Sequence, residues 1–451
     1  MRLLWAVAAC GLLAASLGEA SGQLWVARVG DGSAGLTNAS TALFIDKFDL
    51  AGSPLSSLAL PTDFSGANQP LTLSGTATSE GFLSLSTNGQ YLTLGGYGVA
   101  PGTAAVPQTS SATVNRVIGR IDVNTNAIDT TTALTDGYSG TASNNSPLRS
   151  VVSTDGTEFW TAGTAATGAN GGVRYTTLGA TTSTQLSTTP TNTRVVNIYN
   201  GQLYVSAAAG AFRGVSAVGT GLPNAAGETT TLLPGFDPAT NSPQLTYDFW
   251  FKDDNTLYVA DDRSAATGGG IQKWTFDSGS SLWSLQYTLT LGTGTGGAAR
   301  GLAGTVDGGG NAVLYATTTE TSANRLITVT DTGAGSAFTL LATAPVNTAF
   351  RGVALVGAVM PPTDNADFNG DGRVDGADFI LWQQGLGTTG GAELADGDAN
   401  GDGNVNDLDL AVWRAQFGPA AQAAAGAVPE PAAAGLALAA LAAVAAARRR
   451  R

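Results

Sequence analysis

The chain has 451 residues, 43% of them apolar, with 21 basic against 34 acidic side chains and a formal net charge of −13 at pH 7. That balance excludes nucleic-acid binding by phosphate neutralisation, and the apolar content excludes a wholly disordered chain. Histidine is absent and cysteine occurs once, which also excludes Ser-His-Asp and Cys-His nucleophile systems and a His-ligated catalytic metal.

Met1-Arg2 precede an apolar run from Leu3 to Leu17, followed by the small residues Gly18, Ala20 and Gly22. This is the charge, length and cleavage chemistry of a secretory signal peptide over residues 1–22, a substrate of signal peptidase. Cleavage after Ala20 or Gly22 leaves a mature start near Gln23. Cys10 lies in the removed part, so the mature chain has no thiol and no disulfide. Val7-Ala8-Ala9-Cys10 read as a lipoprotein cleavage box is the competing interpretation, weakened by the short run before it.

Residues 23–358 are rich in Gly, Thr, Ser and Ala and nearly free of helical periodicity. Short alternating runs stand before Asn88-Gly89, Asp155-Gly156 and Asn200-Gly201, dipeptides that supply the positive φ angles of tight hairpins. A second strand with an aromatic follows, as in Tyr91-Leu92, Phe159-Trp160, Leu203-Tyr204, Leu257-Tyr258 and Leu314-Tyr315. Aligned on Phe82, Arg149, Arg194, Phe249, Arg300 and Arg351, the first strands recur at offsets of 67, 45, 55, 51 and 51 residues. About fifty residues and four strands per repeat predict an all-β fold, a β-propeller of about six blades. Seven blades is the alternative count, and a β-sandwich or parallel β-helix the alternative architecture. The last repeat supplies only Arg351 to Val356, so the N-terminal strands Leu24 to Val29 and Ala42 to Leu60 are expected to complete its blade and cover the open edges.

Chemistry in this region is sparse. Its four glutamates, Glu80, Glu158, Glu228 and Glu320, sit in turn-like contexts and are expected to be solvated. Lys252-Asp253-Asp254-Asn255 reads as a hairpin turn, whereas Asp261-Asp262-Arg263 is a candidate for the channel mouth. Arg149, Arg194, Arg300 and Arg351 recur at one blade position; such a ring either binds an anion or pairs with neighbouring carbonyls and carboxylates.

The segment from Asp367 to Gly418 holds two copies of one pattern, DFNGDGRVDGAD and DANGDGNVNDLD, at an offset of 31 residues, each followed by an apolar run with a tryptophan, Trp382 or Trp413. Oxygen donors fall at loop positions 1, 3, 5, 7, 9 and 12: Asp367, Asn369, Asp371, the Arg373 carbonyl, Asp375 and Asp378 in the first copy. The second repeats them with Asp398, Asn400, Asp402, the Asn404 carbonyl, Asn406 and Asp409. Gly372 and Gly403 occupy position 6, where the chain turns around the ion. An oxygen-only set without nitrogen or sulfur points to calcium, one ion per loop and two in all. The duplicated loop, with Val374 and Val405 at position 8 and one helix after each copy, resembles a type I dockerin. The resemblance covers about 52 residues and implies a calcium-stabilised α-helical module over 367–418 that docks to a cohesin-like protein. Positions 10 and 11, which commonly choose the partner in that family, are Gly376-Ala377 and Asp407-Leu408, an asymmetric pair.

After a linker over 419–427, Val428-Pro429-Glu430-Pro431 is followed by sixteen apolar or small residues, Ala432 to Ala447, and then by Arg448 to Arg451. This tail resembles a PEP-CTERM sorting signal, which implies processing by an exosortase. Sixteen helical residues span roughly 24 Å, short of the ~30 Å hydrocarbon core, which suits temporary rather than permanent retention in the membrane. An ordinary single-span anchor is the alternative, and the arginines stay cytoplasmic in either case. Without both ends the chain keeps 16 basic and 33 acidic residues, about −17.

The sequence therefore predicts an exported protein of the cell envelope or extracellular surface. In chain order it has a signal peptide (1–22), a propeller (23–358), a linker (359–366), the dockerin-like domain (367–418) and a membrane-helix sorting tail (428–451). Its expected role is non-enzymatic binding or structural support, with a polysaccharide or matrix component as ligand. The alternative is a carbohydrate-active or lactone hydrolase carried by its dockerin.

Overall fold

The structure, a computed structural model, describes residues 22–236, 245–291, 298–357, 365–370, 373–389, 391–399 and 403–417. The signal-peptide segment 1–21, the loop positions Asp371, Gly372, Asn400 and Asp402, and the C-terminal tail with its expected membrane helix lie outside the described residues. The chain divides into two compact units after Val359.

The first unit is built from antiparallel strands. Its N-terminal part contains β1 (Gln23–Val29), β2 (Ser40–Asp49), β3 (Pro54–Ala59), β4 (Thr72–Ser74), β5 (Ser84–Leu85), β6 (Tyr91–Tyr97), β7 (Arg116–Asp122) and β8 (Ile128–Leu134). Four sheets of four strands follow, each a propeller blade. The first holds β9 (Leu148–Val152), β10 (Glu158–Gly163), β11 (Gly172–Thr177) and β12 (Thr184–Gln185). The second holds β13 (Val196–Tyr199), β14 (Gln202–Ala207), β15 (Gly214–Val218) and β16 (Thr230–Leu232). The third runs through β17 (Thr246–Asp253), β18 (Thr256–Asp261), β19 (Gly270–Asp277) and β20 (Leu282–Leu289), and the fourth through β21 (Ala299–Val306), β22 (Ala312–Thr318), β23 (Arg325–Thr330) and β24 (Thr339–Thr343). The final strand is β25 (Ala349–Val356).

Local chemistry sets the hairpins. Between β13 and β14, Asn200 and Gly201 have φ of 45° and 69°, the paired positive values of a two-residue turn whose twist matches the strands it joins. Asp155 caps its own turn by accepting from the Thr157 N–H at 2.9 Å, and Gly156 takes φ 82°.

β25 and the N-terminal strands share a nine-stranded sheet ordered β25-β1-β2-β4-β6-β7-β8, with β3 on β2 and β5 on β6. β1 is therefore central, with Val26 opposite Val353 on one side and Asp46 on the other. The expected completion of the last repeat by Leu24 to Val29 is what the pairing displays. The first strands of most repeats lie side by side: β5 packs between β25 and β9, β9 touches β13, β17 packs on β14, and β17, β21 and β25 follow one another. Phe82 N donates to the Arg149 carbonyl at 3.2 Å and Gly352 N to the Gly81 carbonyl at 3.0 Å, so these contacts are close. A Cβ on Gly352 would lie 2.3 Å from Leu83 N, which leaves glycine as the residue that permits the approach. Apolar cores fill the spaces between sheets, the largest built around Trp25, Leu43, Leu71, Leu92 and Val117.

In the second unit each loop of the duplicated segment leads into a helix, α1 (Gly376–Gly385) or α2 (Asp407–Gln416). Asp375 and Asn406 are the N-caps. Their side chains accept from Ala377 N and Leu408 N, and Asp378 and Asp409 return the bond to the cap N–H, a capping box at each start.

Trp25 is 1% exposed and stacks under the Lys47 ammonium, 3.5 Å from its ring centroid, at the seam between β25 and β2. Trp25→Ala is expected to cost about 3–5 kcal/mol in urea unfolding of the first unit; a loss under about 1 kcal/mol would mean that the seam does not carry the fold.

Candidate functional site

The two loops are organised by their position-12 carboxylates. Asp378 is fully buried; its Oδ1 accepts from Phe368 N at 2.9 Å and Asn369 N at 3.3 Å, and its Oδ2 from Asp375 N at 2.8 Å. One side chain thereby gathers the beginning and the end of the first loop. Asp409, equally buried, does the same for the second, accepting from Ala399 N and Asn406 N, each at 2.8 Å. Asp398 Oδ2 adds a bond from Gly403 N at 2.7 Å, and Gly403 takes φ 80° where the chain turns. Of the predicted ligands, Asp367, Asn369, Arg373, Asp375 and Asp378 are described in the first loop and Asp398, Asn404, Asn406 and Asp409 in the second. The described donors are oxygens, the donor chemistry that a hard divalent cation takes, and the loops are drawn together at position 12. The short aspartate at position 12 suits this tight loop, since it reaches backbone on both sides.

The tryptophans flagged in the sequence as repeat markers have a job that their spacing alone did not disclose. Trp382 Nε1 donates to the Asn406 carbonyl and Trp413 Nε1 to the Asp375 carbonyl, both at 2.9 Å. Each helix thus braces the position-9 residue of the opposite loop. The core between them holds Phe368, Trp382 and Val405, with Phe379, Leu410 and Trp413 at its margin. Phe379 and Trp413 rings lie 4.9 Å apart.

In the first unit the recurring arginines line the inner strands. Arg149 and Arg351 are buried, 6% and 4% exposed, while Arg194 and Arg300 are half-buried. Arg300 Nε pairs with Asp262 Oδ1 at 2.8 Å, which brings one member of the Asp261-Asp262-Arg263 cluster to the arginines; Asp261 instead pairs with Arg263 at 2.7 Å. The guanidiniums of Arg194 and Arg300 both lie over the Tyr247 ring, at 5.0 and 5.9 Å.

One glutamate departs from expectation. Glu80, expected to be solvated, is fully buried, because its carboxylate accepts from Ser74 N at 2.5 Å and from the Tyr97 hydroxyl at 2.8 Å inside the arginine cluster. Burial pushes its pKa up to about 7, against the pull of those hydrogen bonds and of Arg351 and Arg116. Asp248, also buried, is raised to about 7 by desolvation, although Leu302 N and Phe249 N donate to it. Glu158, Glu228 and Glu320 are half-buried. Neither Glu80 nor Asp248 carries a sequence signal of burial, since strand pairing from distant parts of the chain encloses them.

Residues 364–417 match the family model of the dockerin type I domain, and residues 427–451 match that of the PEP-CTERM protein-sorting motif. No curated protein matches the chain. Among solved structures, it is similar to a protein from Bacteroides uniformis provisionally assigned as a 6-phosphogluconolactonase, at 14% identity over 71% of this chain and 83% of that one, with a TM-score of 0.39. It is also similar to hydrazine synthase of Kuenenia stuttgartiensis (10% identity, 62% and 68% of the two chains, TM-score 0.35) and to the WD40 β-propeller domain of Doa1 (9%, 73% and 96%, 0.33).

The raised carboxyls fix a pH dependence. Folded Glu80 and Asp248 keep their protons up to about pH 7, whereas the unfolded chain releases them near 4 to 4.5, so the folded state binds more protons between those values. Their contribution to stability is complete below about pH 4 and is lost as pH rises through 7. The melting temperature of the first unit is expected to fall from pH 5 to pH 7.5 and then level off, and Asp248→Asn with Glu80→Gln should flatten the curve. A wild-type profile that rises over this range would contradict both burials.

Proposed function

We propose that this is an exported binding protein of the cell envelope or matrix, in which a six-bladed propeller offers the ligand surface and a calcium-loaded dockerin-like module attaches it to a cohesin-like partner. The observation that carries the reading is the pair of loops closed by Asp378 and Asp409 and cross-braced by Trp382 and Trp413, within a segment that matches the dockerin type I domain. Calcium is the cation this match supports. One ion per loop is our assignment, held by Asp367, Asn369, Asp371, the Arg373 carbonyl, Asp375 and Asp378, and by Asp398, Asn400, Asp402, the Asn404 carbonyl, Asn406 and Asp409. The bound ions supply the positive charge that lets seven crowded carboxylates share two small loops.

Six blades follow if the nine-stranded sheet is two blades joined by β4, one of β25-β1-β2-β3 and one of β5-β6-β7-β8. The cyclic order of inner strands supports this count. Export by a signal peptide, transient retention by the C-terminal helix and release by an exosortase are the sorting route that the PEP-CTERM match supports. Buried Glu80, with its raised pKa, is what a hydrolase would use as a general acid. Among the described residues its hydrogen-bond partners are Ser74 N and the Tyr97 hydroxyl, with Arg351 and Arg116 as charged neighbours, and Asp262 is engaged by Arg300; that arrangement differs from the facing carboxylates of glycoside hydrolysis, which favours binding.

Full-length protein should pull a cohesin-like partner from envelope extract in calcium and release it in chelator; capture that is indifferent to chelator would count against docking through the loops. Asp378→Ala and Asp409→Ala should each weaken calcium binding by roughly tenfold or more, because each leaves buried N–H donors unpaired as well as removing a ligand. Isothermal titration checks this. The mature protein's mass should lack Arg448 to Arg451; a mass that includes them would point to a permanent anchor.

A further inference from the structure

The loops after β1, β3 and β6 converge on a cleft of about 520 Å³ that lies outside both family matches. That volume is in the range of small-ligand sites. Asp31 and Asp63 are its only charged lining residues among the described residues; no lysine or arginine reaches it. Hydroxyls of Thr37, Thr41 and Thr62 and the aliphatic surface of Pro101 share the walls. The loops are fixed by hydrogen bonds. The Ser40 hydroxyl donates to the Ala100 carbonyl at 2.7 Å and accepts from Thr103 N at 2.8 Å, which ties the loop after β6 to the start of β2. In the loop after β3, Ser65 and Asn68 exchange backbone hydrogen bonds at 3.0 Å, and the Asn68 side chain accepts from Thr130 N of β8 at 2.7 Å. The turn pinned in this way presents Phe64 beside Asp63. At 68% exposure Phe64 is the bulkiest exposed apolar side chain of the first unit among the described residues.

The two carboxylates are set up to accept hydrogen bonds. Asp31 Oδ1 takes the Ser33 hydroxyl at 2.7 Å and the Ser33 N–H at 2.9 Å, bonds that hold its pKa below the usual carboxylate range. The Thr62 hydroxyl donates to Asp63 Oδ2 at 3.2 Å. One oxygen of each carboxylate is left to accept from a ligand. We propose that this cleft binds a neutral sugar unit of a polysaccharide, whose hydroxyls donate to Asp31 and Asp63 while one face of its ring lies on Phe64. The inference deepens the reading of the first unit as the binding part and rests on it. A sugar ring carries hydroxyl donors around its edge and C–H groups on its faces. The edge is matched by ionised acceptors, to which hydrogen bonds are stronger than to neutral ones, and the face by an aromatic ring. Two carboxylates without a neighbouring cation repel an acidic sugar, so charge selects the neutral class.

The test is affinity electrophoresis of the full-length protein in native gels that contain a neutral polysaccharide (mixed-linkage β-glucan, mannan, xylan or galactan) or an acidic one (alginate or polygalacturonate). Each mobility is read against a gel without polysaccharide, which removes the effect of a changed protein charge. The expected result is retardation in at least one neutral gel and none in the acidic gels. Phe64→Ala, and separately the double variant Asp31→Asn with Asp63→Asn, should each raise the dissociation constant at least tenfold. These side chains are exposed, so both variants should fold, and an unchanged thermal melt verifies it. No retardation in any neutral gel, retardation in the acidic gels as strong as in the neutral ones, or retardation that survives in either variant would overturn the proposal. Survival in both variants would leave the first unit a polysaccharide binder with its site elsewhere, which separates failure of the cleft from failure of the broader reading. Calcium-dependent capture of a partner by the same preparations reads the docking half independently.

Discussion

The antiparallel pairing of β1 with β25 is the constraint on which the first unit depends. It joins residues 320 to 333 positions apart, from Val29 opposite Ala349 to Gln23 opposite Val356. Without it β25 would present a bare edge and β1 would have a partner on one side only, the situation that invites pairing with other chains. Because it holds, Arg351 comes to lie against the turn before β5, where Gly352 N reaches the Gly81 carbonyl, and the residues from Gly75 to Phe82 can enclose Glu80. The arginine cluster therefore follows from closure. Closing so long a loop costs entropy, which the inter-sheet cores around Trp25 and Leu43 help to offset.

The two units use charge in opposite ways. The second concentrates carboxylates in loops drawn shut by backbone donors, a design that gains its counter-charge from a small hard cation. The first buries guanidiniums against carbonyls, an amide, aromatic rings and the carboxyl groups of Asp262 and Glu80. Repulsion among buried like charges is unfavourable unless something answers it, and in the first unit part of the answer comes from Glu80 and Asp262 within the chain.

Much of this was legible in the sequence, and the exceptions have a common cause. The hairpin dipeptides located the strand ends because positive φ at Asn200 and Gly201 is a local requirement. The fifty-residue recurrence marked Phe82, Arg149, Arg194, Phe249, Arg300 and Arg351, which lie in or within two residues of β5, β9, β13, β17, β21 and β25. The duplicated loops were legible as a pattern, since spacing within twelve residues is encoded locally, and the segment that holds them matches the dockerin type I domain. Glu80 was misread. It is flanked by Ser79 and Gly81, and nothing nearby distinguishes it from a solvated turn residue; its burial is produced by Tyr97, Arg116 and Arg351, which arrive through strand pairing. Asp248 lacks a local signal for the same reason, since Leu302 N from the next blade donates to it. The tryptophans mark the repeat in the sequence, but their role as cross-braces needs the two loop-helix units packed on each other.

That cross-bracing couples the two loops. Trp382 holds the carbonyl of Asn406 while the Asn406 N–H is held by Asp409, and the mirror relation ties Trp413, Asp375 and Asp378. Order in one loop is thereby transmitted to the other, so the module is expected to take up its ions as a unit. Equilibrium dialysis of the full-length protein against radioactive calcium measures this most directly. The account predicts two ions bound per chain with a Hill coefficient above 1, and a stoichiometry below two, or two sites filling independently with widely separated affinities, would contradict it.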